Sequence, residues 1–341
     1  MRRFGLTAEA VPGILSALAH PSIRLIVRVC FLAAFALAVP AVVEAQSACP
    51  STDSGSVRKL TGDCTTSTSY VIPDGMTLDG DSHSITAVDP PGGYFQGPIV
   101  VARGRTASII NTRVTAALRS NVCADGEARL RGIYFDGASG EIGSNTVDTI
   151  HRVPSSCEEG NAIEVRNRTA DGAATTVTIH GNYVDRYQKS GIVIHGRVDA
   201  LVRGNFVGSS VAWGLLGPNA VQVGPVAAAR IERNQISGVF VGTPGAGGSA
   251  ILLISSGAGT IVDTNDITGD TDVGINVVAD QATIVNNRLV DTSNDDRNDV
   301  GIVNDGFANV YSNNIIVGFR TRQLGVEEES PTNRRGQQIE E

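Results

Sequence analysis

Of the 27 basic residues in this 341-residue chain only Lys59 and Lys189 are lysines, and charged residues make up just 18% of the whole. With a net charge of −8, such a chain offers no basic stripe for a phosphate backbone, so nucleic acid is excluded as an expected partner. Signatures of whole enzyme classes are missing as well: no G-x-S-x-G elbow, P-loop, dinucleotide-binding glycine motif or HExxH pair occurs. No amphipathic helical window of useful length interrupts the sequence either, which argues against a helical or mixed fold. Tryptophan occurs once, as Trp213.

The apolar run VCFLAAFALAVPAVV (29–43) is too short for the ~20 residues of a membrane span. It follows Arg2, Arg3, Arg24 and Arg28 and precedes a small-residue site at Val43-Glu44-Ala45, the layout of an export signal. Residues 1–45 are therefore expected to be a cleaved signal peptide, leaving a secreted, periplasmic or cell-surface protein without a membrane span. Its removal leaves 23 basic and 33 acidic residues, a net charge of −10. It also removes Cys30 and leaves four cysteines, Cys49, Cys64, Cys123 and Cys157. An even count in an exported chain reads as two disulfides. Of the three pairings, Cys49–Cys64 with Cys123–Cys157 is favoured because each closes a loop local in sequence. No cysteine has zinc-site spacing.

The 39 glycines belong to a repeat. Gly-Asn-Tyr-Val (181–184) returns as Gly-Asn-Phe-Val (204–207), and Asn followed by a spacer and an aliphatic residue recurs at Asn111, Asn145, Asn182, Asn205, Asn234, Asn265, Asn287 and Asn314. A second phrase alternates with it: RGIYFDG, NAIEVRN, SGIVIHG, NAVQVGP, SAILLIS, VGINVVA, VGIVNDG. Short β-branched runs bounded by Gly, Asn and Asp are strands and turns. Repeated at intervals of 22 residues or more, they describe a solenoid of parallel strands whose coils bury one another's inner faces. The asparagines then stack at one corner as a ladder of side-chain amides.

The repeated G-N-x-[VI] with its G-I-x-[IV] strand resembles the parallel β-helix repeat of the pectin-lyase-like superfamily, and SYVIPDGMTLDGDSHSITA (69–87) is similar to a first coil of such proteins. The resemblance spans residues 60–320. It implies an all-β, single-stranded right-handed parallel β-helix of about ten coils, and a range of functions from polysaccharide lyases, epimerases and hydrolases to adhesins. Residues 46–320 are the expected β-helix domain, with 46–68 as a disulfide-tied N-terminal cap. Residues 321–341, charged and without a strand pattern, are expected to be a solvated, disordered tail.

Strand alternation sorts the second phrase into faces. Ile133/Phe135, Ile163/Val165, Ile192/Ile194, Val221/Val223, Ile251/Leu253, Ile275/Val277 and Ile302/Asn304 face inward. Outward stand two columns: Tyr134, Glu164, Val193, Gln222, Leu252, Asn276, Val303, and Asp136, Arg166, His195, Gly224, Ile254, Val278, Asp305. Polar chemistry is concentrated between residues 132 and 224, where Tyr187 and Lys189 enter from the preceding turn and Trp213 from the following one.

Those residue types fit removal of a proton alpha to a carboxylate, by β-elimination or C5 epimerisation of a uronate-containing polysaccharide. Arg166 would neutralise the carboxylate, His195 or Lys189 would act as base and Tyr187 as acid. Tyr134, Asp136, Glu164, Gln222 and Trp213 would contact the sugar. The Asp-Pro-His-Glu motif of alginate epimerases and the pectate-lyase signature are both missing. Hydrolysis by the carboxylate pair Asp136 and Glu164 is a weaker reading, because the polygalacturonase pattern is not assembled and Asp295-Asp296 stands without its companions. The alternative of another class is a non-catalytic cell-surface or carbohydrate-binding β-helix. No cofactor and no metal site is expected, although 263–272 and 291–301 are acidic enough to offer oxygen ligands to Ca²⁺. A monomer that binds an acidic polysaccharide is the expected state.

Overall fold

The computed structural model describes residues 49–152, 156–169, 173–208, 217–239, 247–293 and 299–325. The stretch expected to be a signal peptide, Trp213, Asp295, Asp296 and the last sixteen residues lie outside them. The described chain is a parallel β-helix. Three sheets of 11, 10 and 10 strands run its length, and after the first strand each pairs with the strand three strands later. Ten coils result because each turn of chain adds one strand to each sheet.

The sheet that carries the second phrase, called the wall here, contains Tyr70–Ile72, Pro98–Ala102, Arg131–Asp136, Asn161–Asn167, Ser190–Gly196, Asn219–Val223, Ser249–Ile254, Val273–Val278, Val300–Asn304 and Thr321–Leu324. Its apolar inward positions stack into one core. Ile133, Phe135, Ile163, Val165, Ile192, Ile194, Val221 and Val223 are all fully buried. Asn304, the polar exception, sits at the end of the stack, where its amide donates to the Gly325 carbonyl at 3.0 Å and accepts from Gly306 and Asn309.

At one corner the amides of Asn145, Asn182, Asn205, Asn234, Asn265, Asn287 and Asn314 form a continuous ladder, each Nδ2 donating to the next Oδ1 at 2.9–3.0 Å. Each Oδ1 also accepts the backbone N–H of the preceding rung, as from Asn182 to Asn205 at 3.0 Å. These are groups that a buried turn would otherwise leave without partners. Asn111 is not a rung. Register puts Thr112 opposite Asn145, and Thr112 N donates to Asn145 Oδ1 at 3.0 Å. Asn111 instead takes the left-handed φ of 52° at the turn, a conformation asparagine tolerates.

At the N-terminal end, Ser51–Ser54 folds back antiparallel on Val57–Leu60, which then starts one of the parallel sheets. The Cys49–Cys64 disulfide ties this cap. At the other end the expectation for the tail is corrected: Thr321–Leu324 is the last wall strand, paired with Val300–Asn304. Its Thr-Arg-Gln-Leu sequence lacks the β-branched run of a central strand, but an edge strand with one neighbour does not require one.

Candidate functional site

The two outward columns form in the expected register. Tyr134 stands opposite Glu164, Glu164 opposite Val193, Val193 opposite Gln222, and Gln222 opposite Leu252. In the second column Asp136 faces Arg166, which faces His195. Only coil spacing, ~4.8 Å, separates successive members.

A third column, absent from the sequence reading, precedes these two: Arg131, Asn161, Ser190, Asn219 and Ser249. Small residues follow each of them, and a side chain at Gly132 would run into Ala162 O and the core residue Val147. The strand therefore turns its next residue inward. The sequence did hold a signal for this column, because Asn161-x-x-Glu164 recurs as Asn219-x-x-Gln222. The first residue bonds the fourth in both, Asn161 Nδ2 to Glu164 Oε2 at 2.8 Å and Asn219 Nδ2 to Gln222 Oε1 at 3.1 Å.

Glu164 is the hub. Although it stands on the outward face, its side chain is 1% exposed. Arg131 Nε donates to it at 2.7 Å, and Arg166 Nη2 lies 3.1 Å from its other oxygen. Arg131 in turn donates to the carbonyls of Arg129 and Gly126, and its guanidinium sits 4.6 Å above the Tyr134 ring. Residues 126–130 thus lie over the wall and bury what a bare sheet would expose. Arg168 donates to the Tyr134 hydroxyl at 3.0 Å and pairs with Glu127 of the same loop. Burial pushes the Tyr134 phenol up to about 12.

The rim of the wall is anchored from below. Glu159, buried, accepts from Ala124 N, Leu130 N and Arg152 Nε. The Cys123–Cys157 disulfide joins the same two loops. Both disulfides follow the favoured pairing, and such bonds persist in oxidising compartments outside the cytosol.

Other expected residues are placed differently. Tyr187 is not on the wall: it is fully buried in the core, and burial holds its phenol well above the ordinary tyrosine range. A group so placed neither reaches a sugar nor donates a proton to one. Lys189 is on the rim, where its ammonium pairs with Glu158 at 3.2 Å. With Glu164 enclosed by two guanidinium groups, the Asp136–Glu164 pair does not present two available carboxylates. The acidic stretch 263–272 uses its carboxylates locally: Asp263 on Arg230 and Asn286, Asp266 on Arg288, Asp272 on Gly248 N.

His195 is half-buried opposite Arg166. Burial first, and then the Arg166 charge, lower its pKa below the usual histidine value, against an opposing pull from Glu164. The imidazole is therefore neutral at pH 7. Four buried polar atoms on these same strands have no hydrogen-bond partner among the described residues: Asn161 Oδ1, Ser190 Oγ, Glu164 Oε1 and Arg166 Nε. Glu164 Oε1 has ion-pair proximity to Arg166 without an aligned bond.

Among the described residues no helix is long and apolar enough to cross a membrane, and no cluster of three or more His, Cys, Asp or Glu side chains is arranged to hold a metal. No protein-family model and no curated protein matches the chain. Among solved structures it is similar to PfbA, a surface adhesin of Streptococcus pneumoniae, at 13% identity and a TM-score of 0.33, over 74% of this chain and 62% of the adhesin. The chain thus spans less than two thirds of the adhesin structure it matches.

Proposed function

We propose that this chain is an exported carbohydrate-binding β-helix that holds a glycan on the wall without turning it over. One observation carries the reading. Counted over the wall and its rim the charges balance, Arg131, Arg166, Arg168 and Lys189 against Glu164, Asp136, Glu127 and Glu158, while part-exposed hydrogen-bonding groups of both kinds stand among them. The part-exposed side chains of Asn161, Arg166, His195 and Gln222 carry donors and acceptors side by side. Hydroxyl groups, which donate and accept, suit that mixed set directly or through an ordered water. Charge matching of this kind favours a neutral glycan over the acidic one expected from the residue types of the wall.

A second reading, proton abstraction from a uronate, is favoured by the neutral His195 opposite Arg166, which pairs a base with a carboxylate binder. Proton NMR of alginate, pectate, glycosaminoglycans and neutral glucans, with and without the protein, separates the two. Line broadening of a glycan with unchanged chemical shifts, lost in Arg166→Ala and His195→Ala, is the expected result. New vinylic protons or inverted C5 signals would replace binding with catalysis, and new reducing ends would revive hydrolysis.

A further inference from the structure

South of His195 the same face changes character. The second column continues as Ile254 opposite Val278, and the first passes through Leu252 before reaching Asn276. Within described residues 217–293, the large apolar side chains that stand exposed are Val226, Ile254 and Val278, at 64, 37 and 38%. All three belong to the wall or its margin. On the same coils the other two faces carry ion pairs, Arg230–Asp263 and Arg288–Asp266. The apolar stripe is therefore a property of one face and not of these coils in general.

Val226 supplies an independent sign. It follows the wall strand Asn219–Val223, and its N–H donates to the carbonyl of Ser255, the residue after Ile254. Its φ is +71°, a left-handed conformation that a β-branched residue adopts only under strain. Glycine or asparagine would relieve the turn at no loss of packing, since the side chain is mostly in water. Left-handed residues end many coil turns here, Thr149 and Thr264 among them, but among the described residues Val226 is the one that puts a large apolar side chain into water at such a turn.

We propose that the wall takes an amphipathic glycoside, its sugar held at Asn161, Arg166 and His195 and its alkyl or acyl chain lying over Val226, Ile254 and Val278. The inference rests on the carbohydrate-binding reading. Two coil steps, roughly 10 Å, separate His195 from Ile254, so a sugar on one half leads its substituent directly onto the other. The stripe begins where the polar columns end, with Gly224 as the flat step between them. A second protein would require a larger apolar area than three isolated side chains supply.

The test is calorimetric titration of the full chain with methyl and octyl β-glycosides of glucose, galactose, mannose and glucuronic acid, kept below their micelle concentrations, and with 1,2-octanediol. For at least one sugar the octyl glycoside should bind at least about tenfold tighter than the methyl glycoside. Ile254→Ser/Val278→Ser should abolish that gain and leave methyl glycoside binding unchanged, with circular dichroism showing the strands intact. Equal affinities for methyl and octyl forms would overturn the apolar extension while the sugar reading stands. Octanediol binding as tightly as the octyl glycosides would overturn both, and so would the absence of heat with every ligand.

Discussion

Gly224 is kept small by His195: a Cβ built on Gly224 would stand 2.5 Å from His195 Cδ2. No real carbon–carbon contact is that short, so the glycine defines where the imidazole rests. Its backbone is outside the left-handed region, and the three heavy atoms nearest an alanine Cβ there all belong to that ring. Gly224→Ala should push His195 outward into solvent and raise its pKa toward the ordinary value, because burial is the main cause of the present depression. Imidazole ¹H–¹⁵N correlation spectra followed across pH would show this. A titration curve unchanged from the parent would mean that the ring does not rest against residue 224.

Glu164 joins two arginines at a nearly water-free point, with Arg131 2% exposed. Removing the shared carboxylate leaves a guanidinium buried with carbonyl partners and the Tyr134 ring but no counter-charge. Glu164→Gln should cost about 3 kcal/mol. Arg131→Met added to it should cost little more, since the stranded charge goes with it. Chemical denaturation of the two single variants and the double variant gives the coupling, and strict additivity would show that the pair does not act as a unit.

How far the sequence could carry this is visible in single residues. The two outward columns emerged in correct register because strand alternation depends only on backbone geometry and a buried inner face fixes it. Asn111 misled by one position, since a triplet of Asn, Thr and Arg allows either of its first two residues to be the rung. Tyr187 misled more seriously. It lies between strands, where period-two reasoning has no purchase, and an aromatic ring entering the core looks in sequence like one entering the site. Arg131 and Arg168 were missed because they bracket the aliphatic run from which the alternation was counted. The burial of Arg131 depends on residues 126–130 folding over the wall, a tertiary event without local periodicity. The apolar stripe was readable as Leu252, Ile254 and Val278, but the strain at Val226 exists only in three dimensions.

The corrected ladder register makes two neighbouring asparagine substitutions diverge. Asn205→Ala removes the acceptor of the Asn182 amide and backbone N–H, and the donor to Ile179 O and Asn234. Several buried groups lose partners at once, at a cost of about 3 kcal/mol. Asn111→Gly should be nearly neutral, because glycine accepts the φ of 52° and the lost side-chain bond to Asp79 is exposed. Thermal unfolding of the two variants checks this, and equal losses would return Asn111 to the ladder.

Two wall residues contribute to the pH dependence of stability with opposite signs of shift, beside Tyr187 and Tyr311, whose phenols burial also raises. His195 titrates below its ordinary value of about 6.5 in the folded protein. Above that pH neither state carries the proton and the residue contributes nothing. As pH falls from 6.5 toward the depressed folded value, the unfolded chain binds the proton first and stability drops. His195→Gln should therefore flatten the acidic limb relative to the parent between pH 6.5 and that lower value. Tyr134 works at the other end: its phenol titrates near 10 when unfolded and about 12 when folded. Below 10 both states hold the proton. As pH rises from 10 toward about 12 the unfolded state ionises first, and stability falls again. Tyr134→Phe should remove that alkaline loss while giving up the bond from Arg168, so its curve starts lower at pH 8 and runs flatter above 10. Denaturation midpoints at intervals from pH 5 to 11 measure both limbs, and a parent curve whose slopes survive both substitutions would assign the dependence to residues away from the wall.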